Sequence, residues 1–274
     1  MPFNWVEEND YKVYYRDELM TVLDAAAEDN RVKGIAIEMG DLSCGMASIA
    51  ELKQYLEDFK KSGKFVYAYS GNYSQKNYYL ATAADSIFLN PQGTLDFKGL
   101  SSASMFYKGI LDKLGVEMQI IKVGAYKSFT EQYSSDSMSV ENRAQSELLV
   151  NSIWKTVLEG ISNARNLSVE ELNRYADDLL YFDYPNELKE KGMIDEVCYR
   201  NDFLRKVESR MGVSSPVFVK YKDYLNELKG SEVSKMLMAG DKIAVVFAEG
   251  DIDNGTNEGI RSDKFETMLW DIAD

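Results

Sequence analysis

The sequence predicts an α/β fold with a mostly parallel sheet, and three observations predict it. Short apolar runs at Gly34–Met39, Phe65–Tyr69, Ser86–Leu89 and Glu117–Val123 read as strands, most of them buried on both faces. Segments of helical periodicity separate them, so strand and helix alternate as in parallel βαβ units. The 274 residues, 45% hydrophobic and 28% charged, suffice for one large α/β domain or two smaller ones.

Each element follows from its residues. Arg16–Asp29 is an amphipathic helix with Leu19, Val22, Leu23 and Ala26 on one face. After the first strand, Gly40–Gly45 is a loop. Ser48, with Glu51 three residues on, is a capping box that starts a helix running to about Lys61, before Ser62-Gly63. Asn77–Ala84 and Met105–Leu114 read as helices on either side of the third strand, which ends at Asn90-Pro91. After Gly124 the pattern changes. Ser139 to about Arg165 is one long helix, with Leu149, Ile153, Val157 and Ile161 at fourfold spacing. Ser168 and Glu171 form a second capping box, and helices continue to about Arg210, broken by a strand-like Ile194–Cys198. Tyr221–Ala239 is polar and weakly patterned. It reads as a linker in preference to a solvated helix.

The composition excludes several chemistries. There is no histidine, so no Ser-His-Asp, Cys-His or His-containing zinc site lies within the chain. A general base here must be Lys, Asp, Glu or Tyr. A formal charge of −14 opposes nucleic-acid binding, which needs clustered cations. Cys44 and Cys198 form no metal spacing and read as small buried hydrophobes. No metal or organic cofactor is implied. No run approaches the roughly 20 apolar residues of a membrane helix, and Met1-Pro2-Phe3-Asn4-Trp5 followed by Val6-Glu7-Glu8 does not read as a secretory signal.

The C-terminal end repeats the N-terminal end. Asp241–Gly250 is a fresh strand signal, and Phe265–Leu269 with Ala273-Asp274 is similar to Leu19–Leu23 with Ala27-Glu28. The expected organisation is a first half over residues 1–220, a linker over 221–240 and the start of a second, truncated repeat over 241–274. The second copy has a strand before its first helix and the first has none. Strand 243–249 is therefore expected to fill the vacant sheet position.

Three segments carry a family resemblance: Val123-Gly124-Ala125-Tyr126-Lys127-Ser128 with Glu131 and Met138-Ser139; Tyr78-Tyr79-Leu80-Ala81 running on to Asn90-Pro91-Gln92-Gly93; and Arg31-Val32-Lys33-Gly34-Ile35. They cover roughly residues 19–210. The chain resembles the signal peptide peptidase A (protease IV) family, in its long form of two tandem similar halves. The resemblance implies a crotonase-like or Clp-protease-like unit. It also implies a serine/lysine dyad split between halves, with Lys127 as general base and the serine beyond Asp274. Partners implied are hydrophobic peptides such as cleaved signal peptides, the second half of the same protein, further copies of itself and, in the parent protein, the membrane of a bacterial cell envelope. The fragment itself is expected to be soluble and, alone, inactive.

The chain departs from the nucleophile pattern. Where the serine-bearing half has a Ser-Gly-Gly-Tyr-type segment, this one has Ser74-Gln75-Lys76-Asn77-Tyr78, with Gln75 at the serine's place. Gly40-Asp41-Leu42-Ser43-Cys44-Gly45 replaces an Asn-Ser-Pro-Gly-Gly-type oxyanion loop. A lysine acting as base must be neutral, and burial lowers its pKa. Lys127 follows the apolar Ile120–Val123, sits beside Tyr126 and Phe129, and comes after Gly124, which permits a tight turn into a helix start. Ser128 is placed to orient the amine. The pKa of Lys127 is expected to fall once the second half covers it.

Other candidates read as structure. Ser101, Ser102 and Ser104 form a serine-rich loop of caps and turns, and Asp41, Asp85 and Asp96 have no assignable partner. Tyr67, Tyr69, Tyr73, Tyr78 and Tyr79 are packing residues or, alternatively, a hydrophobic substrate groove. Two rival readings stand beside the peptidase: a crotonase-type acyl-coenzyme A enzyme, and a scaffold or peptide-binding half with Lys127 idle.

Overall fold

The computed structural model describes residues 15–124, 126–212, 217–238 and 261–273. The chain divides into two compact units, Met1–Val219 and Lys220–Asp274.

The first unit is built on four strands, β1 (Gly34–Glu38), β2 (Phe65–Ser70), β4 (Ser86–Leu89) and β6 (Glu196–Val197), in the order β1-β2-β4-β6. Every pairing is parallel, with Ile35 opposite Val66, Ala68 opposite Ile87 and Phe88 opposite Glu196. The expected fold class, α/β with a mostly parallel sheet, is the one observed. A second, two-stranded parallel ladder joins β3 (Tyr73–Ser74) to β5 (Leu95–Asp96).

Strand β2 shows why its run is continuously apolar. Successive side chains point to opposite faces. Phe65, Tyr67 and Tyr69 lie on one side with Phe88, Cys198 and Phe203, Val207, Leu204 and Met211 of α9 (Arg200–Met211). Val66 and Ala68 alternate to the other side and are fully buried. That face is covered by α2 (Met46–Lys60), α3 (Gln75–Ala81) and the C-terminal half of α6 (Val140–Arg165). Helix α1 (Arg16–Glu28) buries Leu23 and Ala26 and packs on α2.

Two aspartates finish the strand starts. Asp85 Oδ2 accepts from Val66 N at 2.8 Å and its carboxylate lies 3.0 Å from Lys60 Nζ. Asp195 Oδ2 accepts from Ile87 N at 2.7 Å and also pairs with Arg165 at 2.9 Å. Each supplies an acceptor to a strand N–H that needs a partner. Asp96 pairs with Lys98 at 2.8 Å. Asp85 and Asp96 thus have partners that spacing alone did not reveal.

Several expectations are corrected. Helix α2 starts at Met46 with Gly45 as its cap, so Ser48 lies inside the first turn and its expected capping box does not form. The box of Ser168 and Glu171 does form, opening α7 (Val169–Asp177). Helix α3 starts at Gln75, because Ser74 Oγ accepts from Asn77 N, and ends at Ala81, where tighter turns take over through Ala84. Helix α4 is confined to Lys108–Lys113, because Tyr107 N is committed to Gln132 O at 2.6 Å. Glu117–Val123, expected as a strand, pairs with nothing among the described residues. Cys44 is exposed and only Cys198 is buried. After α7 come a 3-10 turn (Leu180–Phe182) and α8 (Pro185–Glu190).

The second unit holds α10 (Tyr221–Met238) and α11 (Ser262–Ala273). The stretch read as a linker is therefore helical, with helix formers such as Leu, Glu and Lys outweighing its weak patterning. The expected strand 243–249 and its sheet position lie outside the described residues. No helix of the described residues is long and apolar enough to cross a membrane.

Candidate functional site

Lys127 is carried on a turn. Gly124 has φ +95°, a conformation open to glycine, and Lys127 N approaches Gly124 O at 3.5 Å. The expected helix start comes later, at α5 (Glu131–Ser134), so Lys127 stands in the turn before it. Ala125 lies outside the described residues. Lys127 is exposed, as are Tyr126 and Phe129. With Ile121, Lys122, Val123, Ser128 and Thr130 they line an open concavity of about 530 Å³. Among the described residues no hydrogen bond joins Ser128 Oγ to Lys127 Nζ; Ser128 contributes its carbonyl, which accepts from Glu131 N at 3.0 Å.

This loop is apolar yet uncovered. Ile121 is 97% and Val123 85% exposed, and Leu114, Val116, Met118, Val140, Leu148 and Leu149 are exposed around it in sequence. The N-terminal half of α6 bares its apolar residues while Val157, Leu158 and Ile161 are buried.

Glu131 anchors the loop. It is only 3% exposed, and its carboxylate meets the N-terminal turn of the 26-residue α6. Its carboxylate accepts from Ser139 Oγ at 2.6 Å, Ser139 N at 3.2 Å and Asn142 Nδ2 at 3.0 Å, with Lys122 Nζ at 4.0 Å. The Ser139 hydroxyl above all holds the Glu131 carboxyl below the usual glutamate range. Sequence placed Glu131 beside Lys127 but not its role, whose signal was the serine cap eight residues on.

The segment around Gln75 is tied by hydrogen bonds. Gln75 Oε1 accepts from Lys98 N and Gly99 N, both at 3.1 Å, and Nε2 donates to Gly99 O at 3.2 Å. The Gly40–Gly45 loop is tethered by Asn77 Nδ2 to Gly40 O at 2.7 Å and by Lys76 Nζ to Cys44 O at 3.2 Å. Asn77 Oδ1 is buried with no partner among the described residues. Tyr69, Tyr73, Tyr78 and Tyr79 are buried and Tyr67 is half-buried, so this cluster is core packing and not a groove. Ser101, Ser102 and Ser104 are exposed in an irregular segment. No group of acidic or cysteine residues able to hold a metal occurs among the described residues.

The fold defines the class first: a parallel α/β protein, with a lysine on an exposed, apolar turn. The chain matches peptidase family S49 over residues 58–214, more than half of its length, and it belongs to that family. It is 31% identical to the chloroplastic serine protease SPPA of Arabidopsis thaliana, over 83% of this chain and 33% of that protein. It is 29% identical to Protease 4 of Haemophilus influenzae, over 88% of this chain and 40% of the relative. A putative signal peptide peptidase SppA of Enterococcus faecium is 26% identical, over 84% of this chain and 64% of the relative. The chain thus spans a third to two fifths of the first two relatives. Among solved structures, a membrane-bound stomatin-specific protease with a substrate peptide aligns at TM-score 0.43 and 13% identity, covering 79% of this chain and 91% of that one. The ClpP protease catalytic domain of Plasmodium falciparum aligns at TM-score 0.39 and 13% identity, covering 74% and 83%.

Proposed function

We propose that this chain is the general-base half of a family S49 serine peptidase that degrades hydrophobic peptides, with Lys127 as the base. The observation that carries the reading is Lys127 on an exposed apolar turn, in a chain whose serine position is Gln75. On this reading residues 1–220 form the base half, 221–240 join the halves and 241–274 open the second repeat, which brings the nucleophilic serine. Covering the turn removes Ile121, Val123 and Phe129 from water and desolvates the lysine, favouring the neutral amine. That amine takes the serine proton as the hydroxyl oxygen attacks the scissile carbonyl. The resulting ammonium returns the proton to the leaving amine, and water repeats the sequence on the acyl-enzyme. Gly124 shapes the turn, Tyr126 supplies its apolar wall and Ser128 meets the amine in the assembled site.

The same uncovered surface supports self-association. On the family resemblance, the parent protein would lie at a bacterial cell envelope. No step calls for a metal or organic cofactor.

A fluorophosphonate probe, which reacts with activated serines, tests the reading on this chain, on the chain extended through a second half, and on the extended Lys127→Ala variant. Labelling of the extended wild type alone is the expected result. Labelling of the present chain would place an active serine within it. Equal labelling of the Lys127→Ala variant would leave this half a scaffold.

A further inference from the structure

The β3–β5 ladder pairs Tyr73 with Leu95 and Ser74 with Asp96. One residue later the backbone leaves the ladder, because Ser74 caps α3. The other side continues through Phe97 to Lys98 and Gly99, whose main-chain groups would lose their strand partner. Gln75 supplies one with its side chain. Its Oε1 receives the two N–H groups of Lys98 and Gly99, and its Nε2 meets Gly99 O. Two successive N–H groups converging on one oxygen, with Gly99 at φ +84°, form a concavity that selects a carbonyl or carboxylate oxygen. Gly99 O beside them calls for a donor. An acceptor and a donor on the same side, at that spacing, are what the C=O and N–H of one residue in an extended chain offer.

We propose that Lys98–Gly99 is a strand-pairing position for the main chain of an extended peptide, and that Gln75 holds it closed in this chain by standing in for the C=O and N–H of one extended residue. The place is reachable: Gln75 and Gly99 are half-buried, while Lys98 and residues 100–105 are exposed. Main-chain pairing of this kind recognises peptides irrespective of side chain. Closure steers peptides away from a half that has no nucleophile. Only that last meaning rests on the peptidase reading; the closed position itself stands on the Gln75 geometry.

The test is amide hydrogen exchange on the present chain, read at Lys98 and Gly99, with and without N-acetyl-trialanine amide at millimolar concentration. In the wild type both amides are protected and indifferent to the probe. In Gln75→Ala, and in Gln75→Ser as a second opening variant, both exchange at least about fivefold faster, the loss of one ordinary hydrogen bond. The probe restores their protection. Gln75→Met exchanges fast too, but its side chain still blocks the position, so the probe changes nothing. Unchanged protection in all three variants would show that Gln75 is not the closure. Fast exchange that the probe never slows would show that no peptide position lies beneath it. A wild type that responds to the probe would show that the position is not closed. Fluorophosphonate labelling of the extended chain reads the peptidase proposal separately.

Discussion

Replacing Glu131 by Gln removes one charge and little volume, so its effect isolates the hydrogen bonds that the charge receives. The carboxylate accepts three of them, from Ser139 Oγ, Ser139 N and Asn142 Nδ2, at 2.6, 3.2 and 3.0 Å. Hydrogen bonds to a charged group contribute roughly 1.5–3 kcal/mol each, against about 1 for neutral ones. An amide also turns a donor toward one of these donors, so one bond is lost outright. Partial compensation by water leaves an expected destabilisation of about 2 kcal/mol at neutral pH. The carboxyl is held below its usual range in the folded chain, chiefly by the Ser139 hydroxyl. Its contribution is therefore complete above the unfolded value of about 4.3 and is lost as pH falls through the lower folded value. Urea unfolding followed by circular dichroism, on wild type and Glu131→Gln, measures both. The gap should be about 2 kcal/mol near pH 7 and narrow progressively below about pH 4. Amides of Glu141–Arg143, in the first turn of α6, should lose protection first. A gap that does not change with pH would refute the reasoning, because the charge would then have no part in it.

Lys127→Ala should leave the urea midpoint of this chain unchanged within about 0.5 kcal/mol, since the side chain is exposed, while abolishing probe labelling of the extended protein. Leu179 has φ 56° and is 45% exposed, so Leu179→Gly should relieve left-handed strain and stabilise by about 0.5–1 kcal/mol in urea. Gly160→Ala would place a Cβ 2.6 Å from the buried Tyr79 ring, and thermal unfolding should show a loss of about 2 kcal/mol as α6 is pushed off α3. Asp195→Asn weakens the bridge between Arg165 and Ile87 N; as the carboxylate is partly solvated, a loss of about 1–2 kcal/mol is expected by urea unfolding.

The readable part of this protein is local. β1, β2 and β4 follow from runs of apolar residues. The long α6 follows from Ser139 and its fourfold repeat, and α7 from Ser168 and Glu171. Ser48 carried the same capping pattern as Ser168 and misled, because Gly45 starts the helix earlier and a cap works only at the end of one. The motif drew attention to Lys127, whose role remains the proposal above, and the lack of histidine limited the candidate bases.

The sequence by itself determined the alternation of strand and helix, the family resemblance and the exclusion of histidine chemistry. Periodicity, caps and composition are properties of neighbours along the chain. Only the tertiary structure decided which segments found partners. Glu117–Val123 has strand character but no strand beside it among the described residues, so it is irregular, with Ile121 and Val123 exposed. Gln75 looked like a mere absence of serine, and the fold makes it the partner of Lys98 and Gly99, more than 20 residues away. Asp85 and Asp195 close strand starts on Val66 and Ile87. A hydrogen-bonding group is fulfilled by whatever the fold brings within about 3 Å of it, and no spacing in the sequence records that choice.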